Sequence, residues 1–446
     1  MKSFYKKFFL LMLPMALKEL ISSLVNLIDT IMVGQLGDNA IAAVGIGNQF
    51  YFIFNVFLFG ISCGAGVFAS QYWGTRDIKG IRRVLGLSLI LGSLFSLLFI
   101  ITATCFPAQI FQAFKASPAV IQDGVTYLGI VSIGYLPTAI TIAYDMNLCS
   151  SEQAGLPFLV RVLGLFINIF LNWVLIFGHL GVPALGIKGA AIATVIARCS
   201  EMLIILGTVY GKKMIQAAKP LELFSISKDL LVRFIKTASP VILNEMAWSL
   251  GMTYYTWVFA RISPNAMVIM TIVQNIERLM LVFFHGSGNA AGVFIGKSVG
   301  AGKYKDAYTY AKKLAYLLTG FSLAFTVVFI FTRPLMLLPY QVSETVRQST
   351  MDILFITALM MNIKSITFLL IVGVFRNGGD PQSAFYIDTG TVWLVGVPAV
   401  TIAAFVFHLP LLTAYAIMSV EEIAKLTLSL WWFKKKKWIK NLVAEN

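Results

Sequence analysis

The stretch Leu13–Leu36, LPMALKELISSLVNLIDTIMVGQL, decides the fold. It is apolar and long enough to cross a bilayer, because about 20 helical residues rise roughly 30 Å. Four polar residues interrupt it: Lys18, Glu19, Asn26 and Asp29. Charged residues are costly in hydrocarbon and are rare there without a partner or a water-filled cavity. Asp29 is therefore either a cation or proton site on a transport path, or an acid solvated by headgroups near a helix end.

The composition indicates an all-α polytopic membrane protein. The 446 residues are 58% hydrophobic and only 12% charged, whereas soluble proteins carry about 25% charged residues. Barrel strands would be shorter and would alternate in polarity. The four cysteines show no metal or disulfide spacing, and no phosphate-binding loop or nucleophile elbow is present. We therefore expect no enzyme activity and no cofactor.

Apolar stretches near span length predict twelve transmembrane helices in two six-helix bundles. The predicted spans are Leu13–Val33, Val44–Ala69, Val84–Phe106, Val125–Met146, Phe158–Phe177, Ile187–Tyr210, Phe234–Ala260, Met267–Ile295, Ala311–Phe331, Ile353–Val374, Ala384–Phe407 and Leu409–Phe433. Residues 1–210 form the predicted N-lobe, 211–236 a cytoplasmic linker and 237–446 the C-lobe with a basic tail.

Basic residues are concentrated on one side of these spans. Of 35 Lys and Arg residues, 25 fall in the termini and alternate loops, with Arg161 and Arg376 counted among them, and five fall in the opposite loops. A Lys/Arg excess marks cytoplasmic loops, so both termini are predicted to be cytoplasmic. This distribution excludes a nucleic-acid partner. Lys434–Lys437, beside Trp431, Trp432 and Trp438, are predicted to anchor the tail to anionic membrane lipid.

The remaining basic residues lie inside spans: Lys18, Arg198, Arg278, Lys364 and Lys425. Arg198 with Glu201, and Lys425 with Glu421, lie one helical turn apart and suggest structural ion pairs. Lys364 has no such local acid. It therefore needs a partner on another helix, for which Glu245 and Glu277 are the candidates.

An internal repeat relates the two halves. AGVFASQYWG at 65–74 matches AGVFIGKSVG at 291–300, an offset that also places Pro14 on Pro240 and Glu19 on Glu245. Six spans separate the copies, so both have the same orientation, as in transporters built from two parallel bundles. Asp29 falls on Tyr255, so the N-lobe acid has no counterpart in the second half.

Two asparagines in span 5, Asn168 and Asn172, are four residues apart and share one helix face. Amide oxygens suit a hard cation such as Na⁺, and amides also hydrogen-bond a carboxyl group. Equally, Asn side chains join neighbouring membrane helices. In span 6, Thr194 ends a run of small residues that favours close packing, unless its hydroxyl faces the bundle interior.

A second polar set lies in spans 7 and 8: Asn244, Glu245, Gln274, Asn275, Glu277 and Arg278, with Tyr254, Tyr255 and Trp257 nearby. Acids and aromatic rings together bind amphipathic cations through charge and cation–π contacts. Alternatively, Glu277 and Arg278 only neutralise other buried charges. Asp388, near the start of span 11, is expected to face the cytoplasm.

With these features in place, the chain resembles the multidrug and toxic compound extrusion (MATE) family, and looks closest to its bacterial DinF-like branch. The motifs that carry the resemblance are Pro14 through DTIMVG at 29–34, LG at 36–37, AAVG at 42–45, NIFLN at 168–172, GAAIAT at 189–194 and RNGGD at 376–380. The resemblance extends over nearly the whole chain.

The resemblance implies an antiporter that exports small organic compounds in exchange for H⁺ or Na⁺. It assigns the N-lobe cation or proton site to Asp29, Asn168, Asn172 and Thr194. A substrate or second coupling site would comprise Glu245, Tyr255, Gln274, Glu277 and Lys364. Many relatives carry Asp at the position of Asn172, so this site has one negative charge fewer, which favours protons over Na⁺. Neutralising Asp29 would repack span 1 near its hinge, Pro14, and release substrate outward.

Two other functions remain open. A flippase for a lipid-linked sugar, in the same superfamily, would favour a strongly cationic cavity, whereas the charges inside these spans are mixed. A channel or structural membrane protein would need no coupled acid. A monomer is expected.

Overall fold

The computed structural model describes residues 2–263 and 265–444, with side chains from Phe4 onward. About 85% of the chain is helical, and the described residues contain no strand. Helices satisfy every backbone N–H and C=O within one segment, which is what hydrocarbon demands of a spanning chain. The predicted fold class, an all-α polytopic membrane protein, is confirmed.

The helices of the first half are α1 (Lys2–Gly34), α2 (Asp38–Thr75), α3 (Ile78–Cys105), α4 (Pro107–Ala113), α5 (Pro118–Val131), α6 (Tyr135–Ser150), α7 (Gly155–Phe177), α8 (Ile187–Gly211) and α9 (Pro220–Phe224). The 3₁₀ turn Ser132–Gly134 joins α5 to α6. Gly37, with φ at 104°, makes the tight turn between α1 and α2, a conformation that favours glycine.

The helices of the second half are α10 (Lys228–Phe259), α11 (Ala266–Gly300), α12 (Tyr304–Met336), α13 (Glu344–Phe368), α14 (Pro381–Thr391), α15 (Val397–Thr401), α16 (Leu411–Met418) and α17 (Val420–Lys435). Three π-helical stretches lie among them: Leu369–Arg376, Val392–Gly396 and Ile402–Val406. Such stretches often mark functional sites.

Ten helical segments of the described chain are long and apolar enough to cross a membrane. The other two predicted spans are also helical. α10 begins with the charged residues Lys228, Asp229 and Arg233, and the last span is divided at Ser419 into α16 and α17. Charge and helix division lower the apolar signal of these two spans without removing their helices.

The chain folds as two compact units. One unit comprises residues 9–238, and the other comprises 239–444 together with 3–8, the first turns of α1. Within the second unit, the Phe4 ring stacks on Tyr310, with centroids 4.7 Å apart, and contacts Phe294 at 5.5 Å. α1 therefore contributes residues to both units.

Much of the predicted linker folds onto the first unit. Ala218 and Leu223 are buried in a cluster with Leu85 of α3. Arg82 donates from Nε to the Ile215 carbonyl at 2.8 Å and pairs with Glu222 at 2.9 Å. The region just after α8 is thus a docked part of this unit, although the sequence pattern suggested only a connector.

The three tryptophans near the predicted lipid anchor differ in their surroundings. Trp438 is fully buried, and the Trp432 indole donates to Asp380 at 3.0 Å. Trp431 alone of the three remains exposed, with the Lys435 ammonium 3.5 Å from its ring centroid. Two of the three indoles therefore make contacts within the protein, whereas Lys434–Lys437 stay exposed, and their predicted contact with anionic lipid stays a prediction.

Candidate functional site

Asp29 lies on α1 beside the two asparagines of α7. Asn172 donates from Nδ2 to Asp29 Oδ1 at 2.6 Å and to Asn168 Oδ1 at 3.3 Å. Asn168 and Asn172 are both buried. The four-residue spacing thus presents both amides on one face, and that face meets the acid of another helix.

A small cavity adjoins the Asp29 carboxylate. It has a volume of about 40 Å³. Its lining includes Asn26, Asp29, Tyr51, Tyr127, Thr194 and Arg198. One water needs about 10–15 Å³ of such space, whereas drug-sized ligands occupy pockets of about 300–1,000 Å³. The cavity therefore suits an ion, a proton carrier or a few waters, and it is too small for an organic substrate.

Thr194 reaches this cavity from α8. Its hydroxyl donates to the Ala190 carbonyl at 3.0 Å, one turn earlier on the same helix. The oxygen keeps lone pairs with which it can accept a hydrogen bond or face a cation. Of the two interpretations of this residue, a polar cavity wall matches where its side chain lies.

Arg198 brings positive charge to the same cavity. Its guanidinium pairs with Glu201 at 3.0 Å, and Glu201 also accepts from Arg161 of α7 at 3.2 Å. The one-turn pairing of Arg198 and Glu201 is confirmed. Arg161 belongs to this buried group and not to a cytoplasmic loop, because α7 begins six residues before it.

The charge of Asp29 has no direct partner. Within the described ranges, no Lys or Arg nitrogen forms an ion pair with its carboxylate, whose one hydrogen bond comes from an amide. Nine other acids of the described helices pair with Lys or Arg: Asp145, Glu201, Glu222, Asp229, Glu245, Glu277, Asp388, Glu421 and Glu422. Asp29 is thus an acid of a membrane helix that no Lys or Arg of the described chain pairs with.

The oxygen atoms around Asp29 provide few ligands for a metal ion that has lost its water shell. Asn172 Oδ1 is buried without a hydrogen-bond partner, so one neutral oxygen is available beside the carboxylate. No group of three or more His, Cys, Asp and Glu able to hold a metal occurs in the part of the chain that the structure describes. A Na⁺ ion here would rely on one carboxylate, amide oxygens and the Thr194 hydroxyl.

Lys18, on the same helix, is held by an acid that the sequence did not single out. Its ammonium pairs with Asp145 of α6 at 2.9 Å, and Cys149 donates from Sγ to the same carboxylate at 3.3 Å. Asp145 lies 127 residues away from Lys18. The position of Asp145 near the end of span 4 was the only feature of the sequence that pointed to this pairing.

In the second unit, Glu245 and Glu277 each have a basic partner. Arg376 donates from Nη2 to Glu245 Oε1 at 2.7 Å and is 4% exposed, so it is a buried residue and not part of a cytoplasmic loop. Lys364 pairs with Glu277. Of the two candidates for Lys364, the structure selects Glu277, because Glu245 is occupied by Arg376.

The largest charge cluster centres on Lys425 of α17. Its ammonium lies 2.9 Å from Asp388 and from Glu421, and 3.6 Å from Glu422. Asn244 donates to Asp388 at 2.9 Å. Asp388 is therefore inside this cluster, and the expectation that it faces the cytoplasm is wrong. α14 turns this acid toward Lys425.

Tyr255, the repeat counterpart of Asp29, joins the same cluster. It is buried, and its hydroxyl donates to Glu421 Oε2 at 2.5 Å. Gln274 is exposed on α11 and forms no described contact with the paired acids. Pro14 lies inside α1, which continues as a helix on both sides of it.

Comparison with known proteins follows the same division into two halves. The MatE family model matches residues 14–174 and again 240–402. The two matches begin at the proline pair that the repeat predicted. Together they account for more than half of the chain.

Full-length relatives and a solved structure agree with this match. The chain is 24% identical to a probable multidrug resistance protein NorM of Thermotoga maritima, over 98% of this chain and 94% of the relative. It is 26% identical to the uncharacterized transporter YisQ of Bacillus subtilis, over 83% and 81%. A crystal structure of MATE in the bent conformation superimposes with a TM-score of 0.89 at 20% identity, over 97% of this chain and 95% of that one. The chain belongs to the MATE family, whose members are membrane transporters and not enzymes.

Proposed function

We propose that this transporter is a secondary antiporter that exports organic, cationic or amphipathic compounds in exchange for a coupling ion by alternating access. The observation that carries the proposal is Asp29, a membrane acid that has an amide partner, an ion-sized cavity and no described ion pair. Intramembrane acids of this kind commonly mark ion pathways. The multidrug resistance protein NorM of Thermotoga maritima supports the substrate class by its description.

We propose the proton as the coupling ion. A proton needs only the carboxylate, whereas a dehydrated metal ion needs several oxygen ligands to replace its water. The Asn172 amide donates to the Asp29 carboxylate and stabilises its ionised form, which is the state that must form again each time the proton is released. Na⁺ is the alternative coupling ion.

In this proposal the organic substrate binds outside the small cavity at Asp29. Glu245, Tyr255, Gln274, Glu277 and Lys364 stay the predicted substrate or second coupling residues. Glu245 pairs with Arg376, and Glu277 pairs with Lys364. An organic cation would therefore have to displace a basic side chain to reach either carboxylate. Exchange of partners of this kind would couple substrate binding to rearrangement of the second unit.

Both termini are proposed to lie in the cytoplasm of a bacterial inner membrane. The exposed tail lysines Lys434–Lys437 and the lysines near the start of α12 lie on the side that the Lys/Arg excess marks as cytoplasmic. Lys436 lies over the Tyr308 ring of α12 at 4.7 Å, which brings the tail and that helix together. We propose contact of these lysines with anionic lipid. The monomeric state and the DinF-like branch stay predictions.

Flux driven by one ion at a time tests the proposed coupling. We expect an inward proton gradient to accelerate ethidium efflux from proteoliposomes at least about fivefold, the lower end of typical coupling energies. An inward Na⁺ gradient of equal size should leave efflux at the no-gradient rate. Acceleration by Na⁺ alone would contradict proton coupling. Efflux that follows only the ethidium gradient would support a channel.

The lipid-flippase alternative needs a separate assay. In the same proteoliposomes, a fluorescent lipid with a pyrophosphate-linked sugar would be followed across the bilayer. We expect no translocation above that of protein-free vesicles, because acids and bases lie together in the second unit instead of forming a strongly cationic cavity. Lipid translocation without ethidium transport would replace the antiport proposal.

A further inference from the structure

The RNGGD motif at 376–380 has a partner that the proposed antiport does not use. The chain after α17 reverses direction, beginning with Lys436 in the left-handed conformation (φ 56°). It then runs along the turn that connects the π-helical stretch Leu369–Arg376 to α14. The Lys440 backbone N–H donates to the Gly378 carbonyl at 2.7 Å. The tail and the motif therefore form one folded contact within the second unit.

The contact leaves no room for side chains at two glycines of the motif. A Cβ at Gly378 would lie 2.4 Å from the Trp438 ring, and a Cβ at Gly379 would lie 2.1 Å from the Lys440 carbonyl oxygen. Gly379 also has a φ of 95°, which other residues rarely adopt. The two glycines are thus explained by the approach of the tail.

A buried acid fixes the other end of the motif. The Asp380 side chain is 1% exposed, and it accepts from Lys440 Nζ at 2.7 Å and from the Trp432 indole at 3.0 Å. Both donors come from α17 or from the segment after it. Removing them would leave a buried carboxylate uncompensated, which is strongly unfavourable.

Further contacts hold the tail itself in place. The fully buried Trp438 ring packs on Phe433 and Phe375, with centroids 5.8 and 6.5 Å apart. Asn441 donates from Nδ2 to the carbonyls of Val299 and Gly300, at 3.2 and 3.3 Å, at the end of α11. The tail thus connects the motif to two long helices of its unit.

The first residue of the motif is Arg376, the buried partner of Glu245. The Arg376 carbonyl accepts from the Gly379 N–H at 3.1 Å, so its backbone belongs to the turn that the tail clamps. We propose that residues 438–441 are a positioning element that holds the Arg376 guanidinium against Glu245. No described tail residue touches Glu245. The tail acts through the turn, and its loss frees this acid inside the membrane.

Chemical labelling of Glu245 tests this inference without relying on transport. Dicyclohexylcarbodiimide reacts with protonated carboxyl groups in apolar surroundings, and the adduct is located by mass spectrometry. The test variant ends after Lys437, and the matched control keeps the tail but carries Lys434→Gln, Lys435→Gln, Lys436→Gln and Lys437→Gln. These four lysines are exposed and lie outside the contacts with the motif.

We expect truncation to raise labelling of Glu245 about tenfold, the factor that corresponds to ~1.4 kcal/mol. The four-lysine control should match the wild type. Labelling of Asp29, in the other unit, serves as the internal reference and should not change. A folded truncated protein with unchanged Glu245 labelling would overturn the proposal.

Point variants keep the test decisive if the truncated protein does not fold. Lys440→Met should raise Glu245 labelling, and Lys440→Arg should restore the wild-type level, because arginine can still donate to Asp380. A purely structural tail would lower thermal stability in both variants without changing labelling at Glu245. That result, with equal labelling in Lys440→Met and the wild type, would also overturn the proposal.

Discussion

Asp29→Asn is expected to lower proton-driven ethidium efflux at least about fivefold, with typical coupling energies allowing a loss of up to about 150-fold. The substitution keeps an oxygen that can accept from Asn172 Nδ2 but removes the group that ionises. A coupling ion shifts a conformational equilibrium only by its different affinity for the two states. Without an ionisable group at position 29, no proton binds there in either state. A proton gradient then cannot shift the equilibrium between the two states through this residue.

The experiment separates lost coupling from lost binding. Exchange of ethidium across vesicles without an ion gradient should persist in Asp29→Asn, because the cavity at Asp29 is too small for that ligand. Glu19→Gln is the matched control, since Glu19 is a half-buried acid on the same helix that does not line the cavity. Full gradient-driven efflux in Asp29→Asn would show that the assignment is wrong.

Lys425→Met should produce the largest loss of stability. Lys425 is buried and pairs with Asp388, Glu421 and Glu422, so its removal leaves three carboxylates facing one another. Breaking one partner from a buried charge group costs about 3–5 kcal/mol. In a unit of this size, we expect the apparent Tm in detergent to fall by roughly 10 °C.

Lys434→Met is the control for this prediction, because Lys434 is exposed on the same helix, α17. Its Tm should stay near the wild-type value, as exposed substitutions usually change stability by less than about 0.5 kcal/mol. Adding Asp388→Asn and Glu421→Gln to Lys425→Met should recover part of the loss by removing the unpaired charges. Equal Tm values for Lys425→Met and Lys434→Met would refute the proposed role of this cluster.

The helices could be predicted because hydrocarbon leaves the chain few choices. Apolar stretches of span length must be helical in a bilayer, so ten of the predicted spans follow from length and composition, and the other two are helices with a weaker apolar signal. The internal divisions could not be predicted in the same way. The π-helical stretch Leu369–Arg376 and the division at Ser419 depend on how neighbouring helices pack, and their apolar sequence resembles that of an ordinary span.

The spacing of residues predicted the buried pairs only where both partners lie on one helix, and for Lys364 the sequence narrowed the partner to two acids, of which Glu277 is the one observed. Arg198 with Glu201 and Lys425 with Glu421 are one turn apart, and the spacing alone indicates them. Lys18 with Asp145, and Arg376 with Glu245, join residues more than 120 positions apart. No periodicity in the sequence indicates which residues pair over such a distance. Arg376 and Asp388 were assigned to the cytoplasmic side because both lie near a turn, where polar residues usually face solvent.

The Asp29 site could be predicted from the sequence more completely than the buried ion pairs. A membrane acid stands out in any span, and the spacing of Asn168 and Asn172 defines one face. The sequence could not show that this face meets Asp29, nor that Asp29 lacks a described basic partner where Asp145, Glu245 and Glu277 have one. That contrast between paired and unpaired acids depends on three-dimensional neighbours throughout both units.

Proton release on substrate binding tests the central claim most directly. Ethidium is added to purified protein in weakly buffered detergent solution, at a pH where the wild type binds the coupling proton, and the pH change is recorded. If Asp29 carries the proton that substrate displaces, the wild type releases about one proton per bound ethidium, by linkage, and Asp29→Asn binds ethidium without releasing any. Equal proton release from both proteins would contradict the account.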